Sequence, residues 1–451
     1  MKLSRALRLP GAARVALTGA GGKTTALFQA ARELSLDQGG QPRTVLVSAT
    51  THLGKDQVRF ADQHRILTSE ADVESLSEQV PPGIVLCTGG PGREDRMLGL
   101  EMPILATLHQ LAESLDAPLL VEADGSRRLP LKAPGEHEPV IPAFTSTLVV
   151  VAGLSGLGQP LDESQVHRSQ RFADLSGLST GDPVTPEALV RVLLHPSGGL
   201  KAAPPAARKV ALLNQADTDS LQSVAKRMAA SLLEGFDSVL IAALEPETSA
   251  GGVFAVHERI AGIVLAAGAS QRFGSPKQLL SWGQETFVHR VARTALEAGL
   301  SPVVVVTGAY ASEVAEAVRD LPVEVVDNPD WEAGQSASVI TGLRRLPRET
   351  GGAVFLLADQ PQAPEPLIRQ LYALHAGSLA PIVAPQADGQ RANPVLFDRD
   401  TFPDLLQLQG DTGGRALFSR FRPIWLPWHD PNLLLDVDTQ GDYRRLMEIQ
   451  P

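Results

Sequence analysis

The stretch IVLAAGASQRFGSPKQLL, from Ile263 to Leu280, decides how the second half of this 451-residue chain is read. Ile263 to Ala267 is a short run of hydrocarbon, as a strand buried on both faces requires. Gly268 to Gly274 then forms a loop of small residues, whose backbone N–H groups an anion can approach closely. The G-x-G-x-x-G spacing of a dinucleotide loop is absent, and two cations, Arg272 and Lys277, flank the turn instead. Two cations on one loop suit a triphosphate. Taken alone they also fit the decoration of a solvated loop, so the surrounding sequence has to decide.

Working outward, short runs rich in Val, Ile and Leu alternate with longer amphipathic stretches, the pattern of parallel α/β sheets. ARVALTG, TVLVSAT, PLLVEAD and TLVVVAG belong to one series; AGIVLAAG, PVVVVTG, GAVFLLAD, NPVLF and LLLDVD belong to another. A softer segment around residues 244–262 separates them and restarts the rhythm. The expectation is two doubly wound α/β domains, 1–254 and 255–451.

Forty Lys and Arg against 51 Asp and Glu give a formal charge of −11. That balance argues against nucleic acid or an anionic membrane as partner and leaves small-molecule substrates, so any anion must be held by a local pocket. The one cysteine, Cys87, belongs to no metal-binding spacing and reads as a buried strand residue. The N-terminus lacks an apolar leader core and no apolar run approaches membrane-spanning length, so a cytoplasmic protein is expected.

In the second half, AVFLLADQP ends a strand on Asp359, and a carboxylate at the carboxyl end of a parallel strand lies on the ligand side of the sheet. That is a Mg2+ position. Asp436 and Asp438 in LLLDVDTQGD end another strand and offer a second carboxylate, though Asp436 also fits a turn residue; Mg2+ needs only one or two besides phosphate oxygens and water. Gln335 and Ser336 in EAGQSASV precede a helix and either read base or ribose or simply cap it.

Together, LAAGASQRFGSPKQLL, GQSASV, LLADQP, RANPVLF, GDTGGRAL and DVDTQGDY resemble the molybdenum cofactor cytidylyltransferases over residues 259–450. The resemblance implies a Rossmann-like nucleotidyltransferase domain in which Ala266, Ala267, Gly268, Ser270, Arg272, Gly274 and Lys277 hold the nucleotide. It implies Asp359 and Asp438 as Mg2+ ligands, and CTP and molybdenum cofactor as substrates. Ala266-Ala267-Gly268 matches the cytidine-selective form. Ala392 departs from the family, which commonly has glycine there. In the implied reaction Arg272 and Lys277 stabilise the departing pyrophosphate, and Asp359 positions the metal.

In the first half, LTGAGGKTTALFQ puts a glycine turn, Gly19, Gly21 and Gly22, before a helix opened by Lys23, Thr24 and Thr25, where a phosphate sits well. A full G-x-x-x-x-G-K-[ST] match would need glycine at Leu17, so this is a variant P-loop binding ATP or GTP. Thr24 is expected on Mg2+, with Asp124 of VEAD as the second metal-site carboxylate. Asn214 and Asp217 have the N-x-x-D spacing that reads guanine, but Gln215 stands where lysine is usual, so adenine and guanine both stay open. Thr51, His52, Lys132, His137 and Glu138 fall in expected loops. GAGGKTT, TTH, VEADGSRRLPLKAPGEHEPVIP, VHR and NQAD, in this order over residues 8–243, resemble the selenium-dependent molybdenum hydroxylase accessory proteins. That resemblance implies a P-loop-NTPase-like domain and a hydroxylase apoenzyme as partner. The alternatives are guanylyl or sugar-phosphate nucleotidyl transfer on the same fold, or a non-catalytic cofactor-delivery chaperone driven by the P-loop.

Overall fold

The computed structural model describes residues 1–37, 39–93, 95–244, 252–269 and 273–449. The chain divides into two compact units, Met1–His257 and Glu258–Pro451.

The main sheet of the first unit has nine strands: β1 (Arg14–Gly19), β2 (Thr44–Ala49), β3 (Gln63–Ile66), β4 (Gly83–Thr88), β5 (Leu119–Glu122), β6 (Thr147–Gly153), β7 (Arg208–Asn214), β8 (Ser238–Ala243) and β9 (Gly252–Glu258). Their order is β9-β8-β7-β6-β1-β5-β2-β4-β3. From β1 the chain first builds outward through β2 to β3, and only after β5 does it cross to β6 on the other side. The order therefore reverses beside β1, and in open α/β sheets a ligand crevice forms outside the carboxyl ends of the strands at such a point. Strand β6 is buried along its whole length, as helices on both faces demand. Cys87 lies buried in β4, where desolvation pushes its thiol up to about 12. Strand β9 joins the edge of this sheet.

The second unit carries β10 (Ile260–Leu265), β11 (Val303–Thr307), β12 (Glu324–Asp327), β13 (Gly352–Leu357), β14 (Ile382–Ala387), β15 (Gln390–Arg391), β16 (Val395–Asp398) and β17 (Ile424–Pro427). The order is β12-β11-β10-β13-β16-β14-β15, with β17 beside β14. Two details depart from the strand pattern expected of the sequence. Strand β16 runs antiparallel to both β13 and β14, because the few residues after β14 turn back at Asp388 and Gly389 and are too short for a crossover helix. LLLDVD is not a strand: a 3-10 turn spans Pro431–Leu434, and Asp436 to Asp438 follow as irregular coil in which the Asp438 amide turns back to Asp436 O at 3.0 Å. The helix Phe287–Glu297 shows how the core is built. Phe287, Val288, Val291, Ala292 and Ala295 form one buried stripe at helical spacing, and Thr286 caps the start by accepting from the His289 amide. Among the described residues no helix is long and apolar enough to cross a membrane.

Candidate functional site

In the second unit, β10 delivers Ala266 and Ala267 buried and Gly268 exposed at its carboxyl end. Ser270 and Arg272 lie outside the described residues. Gly274 has a φ of 80°, the left-handed region where glycine is favoured. The loop is pinned by a residue that sequence reading passed over. Gln278, buried beside Lys277, donates through Nε2 to the carbonyls of Gly268 at 3.0 Å and Ala266 at 3.3 Å. Its signal was position alone, next to the lysine in the 3-10 turn Lys277–Leu279.

Lys277 is drawn in from the loop to the two predicted carboxylates. Its Nζ donates to Asp438 Oδ1 at 2.5 Å and lies 3.8 Å from Asp359 Oδ2. Desolvation raises the Asp359 pKa; Lys277 opposes this, while Asp436 and Asp438 add to it. Asp436 has a different task, accepting from Gln360 Nε2, and Gln362 Nε2 donates to the Leu435 carbonyl at 2.6 Å. The DQPQ and LLLDVD segments are thus stitched together around Lys277. Two carboxylates facing one cation form a donor set that suits a hard divalent ion sharing its shell with phosphate oxygens. Among the described residues no group of three or more metal-ligating side chains gathers, so protein alone does not enclose such an ion.

Gln335 and Ser336 open the helix Gln335–Arg345, and the N-cap is Gly334 with no side-chain cap, so Ser336 does not cap it. Gly334 sits at φ 106° and ψ −179°, and a Cβ there would lie 2.5 Å from the Gly410 carbonyl carbon. The Ser336 amide donates to Gly410 O at 3.2 Å, and a Cβ on Gly413 would meet Gln335 Oε1 at 2.3 Å. GQSASV and GDTGG, far apart in sequence, therefore pack backbone to backbone. Ala392 is buried, and its amide donates to Pro385 O at 3.0 Å; it is not among the positive-φ residues, so alanine is accommodated without strain.

In the first unit the glycine loop leaves β1 and depends on its glycines. Gly19, Gly21 and Gly22 have φ of 94°, 81° and 119°, and a Cβ on Gly19 would lie 2.1 Å from Val151 O. The helix Lys23–Leu34 follows. Lys23 is buried, donating to Gly19 O at 2.7 Å, with Asp124 Oδ1 at 3.2 Å and Glu122 Oε1 at 3.8 Å. Thr24 Oγ1 donates to Glu122 Oε2 at 2.9 Å and accepts from Gln57 Nε2 at 3.1 Å. Thr25 is half-buried beside it.

The carboxylate beside Thr24 is therefore Glu122, and this corrects the assignment of Asp124. Asp124 is 1% exposed, accepting from the Gly19 amide at 3.1 Å and from Lys132 Nζ at 2.8 Å. With Lys23 on its other oxygen, Asp124 is committed to holding the loop. Glu122 and Asp124 stand two apart in VEAD, and the alternation of a strand places such residues on one side, so the pair was present in the sequence. Burial raises the Glu122 pKa, partly offset by Lys23 and by the Thr24 hydrogen bond. Lys132 goes on to Glu138 Oε2 at 3.1 Å, which Arg168 also reaches at 2.9 Å. His52 and His137 are both exposed.

Asn214 is buried, its Nδ2 donating to Gly21 O at 2.8 Å and its Oδ1 accepting from the Leu244 amide at 2.9 Å. It braces the glycine loop, while Asp217 stands exposed on the following connection. A cavity of about 1630 Å3 borders the loop, lined among others by Gly21 to Thr25, Gln57, Glu122 and Gln215.

Two family models match, the YqeC protein over residues 15–170 and the MobA-like NTP transferase domain over residues 262–424. The uncharacterized protein YqeC of Escherichia coli is 32% identical, covering 45% of this chain and 75% of its own length. Nicotine blue oxidoreductase of Paenarthrobacter nicotinovorans is 31% identical over 42% of this chain and 96% of its own. Molybdenum cofactor cytidylyltransferase of Escherichia coli is 24% identical over 40% of this chain and 92% of its own. The chain thus belongs to the YqeC family through its first unit and to the MobA-like NTP transferases through its second, and it is a nucleotidyltransferase.

Proposed function

We propose that the second unit transfers CMP from CTP to the terminal phosphate of molybdenum cofactor. A phosphate oxygen of the cofactor attacks the α-phosphorus of CTP, the bond to the β-phosphate breaks, and pyrophosphate leaves. Such a transfer needs positioning and charge neutralisation more than covalent help from side chains. The observation that carries the reading is Lys277 facing Asp359 and Asp438 next to the Gly268–Gly274 loop. Mg2+ on Asp359 and Asp438 would supply Lewis-acid neutralisation of the phosphate oxygens. Lys277, released from Asp438, and Arg272 then serve the leaving pyrophosphate, while Ala266 and Ala267 shape the cytidine side. The similarity to the cytidylyltransferase supports this choice of substrate.

The first unit, in the same proposal, binds ATP or GTP with Mg2+ on the Gly19–Thr25 loop. Lys23 would take the phosphates, Thr24 with Glu122 the metal, and Asn214 would hold the loop in shape. Its expected place is in the cytoplasm, in the maturation of a molybdenum hydroxylase. The test is to incubate the protein with molybdenum cofactor, Mg2+ and each nucleoside triphosphate in turn and to identify the product. A cytosine dinucleotide, formed with kcat/KM higher for CTP than for GTP, is expected. Equal or better use of GTP would overturn the cytidine assignment.

A further inference from the structure

The cavity of the first unit is larger than a nucleotide loop alone needs. It holds about 1630 Å3, against roughly 300–1,000 Å3 for an ordinary small-molecule pocket. Beyond Gly21 to Thr25 it is walled by three more connections at carboxyl ends of strands: Gly54–Phe60 after β2, Asp95–Arg96 after β4 and Gly125–Leu129 after β5. These walls are tied together. The Lys55 amide donates to Asp95 O at 2.9 Å, and the Gly21 amide donates to Leu129 O at 3.1 Å; Arg128 pairs with Asp56 at 2.8 Å.

Their charge is the second observation. Eight Lys and Arg side chains line the cavity against four Asp and Glu, in a chain whose formal charge is −11. Lys23 belongs to the glycine loop, and Arg32, Lys55 and Arg128 are paired with Asp62, Asp95 and Asp56. Arg96 and Arg127, from two different walls, have no ion-pair partner among the described residues. The third observation is backbone strain. Of the ten non-glycine residues with positive φ among those described, Asp95, Arg127, Arg128 and Gln215 all line this cavity. Strain of this kind gathers at ligand clamps, where the surroundings hold the backbone in place.

We propose that the part of the cavity lined by Arg96 and Arg127 is a second binding site, for a phosphate-bearing small molecule held by these two arginines alongside the nucleotide. A guanidinium presents a fork of donors that matches phosphate oxygens, and the two arginines belong to connections other than the one bearing the glycine loop. The inference rests on the nucleotide reading of that loop, and the experiment keeps the two apart.

The probe is inorganic pyrophosphate, and the readout is modification of each arginine by phenylglyoxal in the full chain, followed by mass spectrometry. Pyrophosphate is expected to slow modification of Arg96 and Arg127 by about tenfold, in the wild type and in Lys23→Ala alike. Wild-type protein saturated with a non-hydrolysable nucleoside triphosphate and Mg2+ gives the same test without mutation, since pyrophosphate must then still add protection. Arg96→Glu should remove most of the protection of Arg127. Unchanged modification, protection lost with Lys23, or no added protection over bound triphosphate would each overturn the second site. Nucleotide binding by wild type and by Lys23→Ala, measured on the same samples, decides the loop reading separately.

Discussion

Lys277 Nζ and Asp438 Oδ1 meet at 2.5 Å across 161 residues of sequence. The contact closes the site, because Asp438 lies on an irregular segment with no place in the sheet, and Lys277 also faces Asp359 at 3.8 Å. One cation, near the start of the unit, thus organises two carboxylates that the fold brings in from its middle and its end.

Replacing Asp359 tests whether those carboxylates serve a metal. Asp359→Asn should lower nucleotidyl transfer by roughly 10²-fold or more, since an amide holds Mg2+ poorly where charge develops. The Tm should change little. A near-normal rate at ordinary Mg2+ would mark Asp359 as structural.

The two lysines should have separable defects. Lys277→Ala is expected to slow nucleotidyl transfer by about 10²- to 10³-fold, as for loss of one preorganised electrostatic contact. Nucleotide binding by the first unit should survive. Lys23→Ala should remove that binding and leave transfer near normal. Assaying both activities in both variants checks this, and loss of transfer in Lys23→Ala alone would require the two sites to be coupled.

Glu138 should give the first unit a pH-dependent share of its stability. Burial by itself would raise its pKa, but hydrogen bonds from Arg168 and Lys132 outweigh burial and hold it down to about 2. A depressed carboxyl stabilises the fold while ionised, so the contribution is complete above about 4.5 and is lost as pH falls toward about 2. Near neutrality Glu138→Gln should cost about 1–3 kcal/mol. Thermal melts of both proteins should converge through that acid window, and a constant gap would contradict the assignment.

Gly334 and Gly410 should differ sharply when changed to alanine. Gly334→Ala combines a Gly-only backbone conformation with a Cβ 2.5 Å from the Gly410 carbonyl carbon. It should displace the start of the helix that bears Gln335, lowering both Tm and kcat/KM. At Gly410, with φ 64°, nothing lies within 4 Å of a Cβ. Gly410→Ala should cost only about 1 kcal/mol of backbone strain. Equal effects would mean that the close packing of the two segments does not matter.

Much was legible from local pattern. Hydrocarbon runs such as Ile263–Ala267 and Thr147–Gly153 mark strands buried on both faces, and glycine-rich turns behind β1 and β10 mark the carboxyl edge of each sheet. These are properties of neighbouring residues, set by side-chain periodicity and backbone freedom. Partnership was not legible. VEAD offered two carboxylates, and only the packing of Lys23, Thr24 and Lys132 decided that Glu122 meets Thr24 while Asp124 is locked between two ammonium groups. LLLDVD has the composition of a strand, yet its backbone is used to carry Asp436 to Gln360 and Asp438 to Lys277. Strand β16 runs antiparallel to both its neighbours because its connection is short, although its composition resembles that of the parallel strands elsewhere in the sheet. The sequence by itself determined the hydrocarbon runs that become the central strands and the glycine turns that follow β1 and β10; the tertiary structure alone decided which charge meets which, because that depends on distances between residues the chain holds far apart.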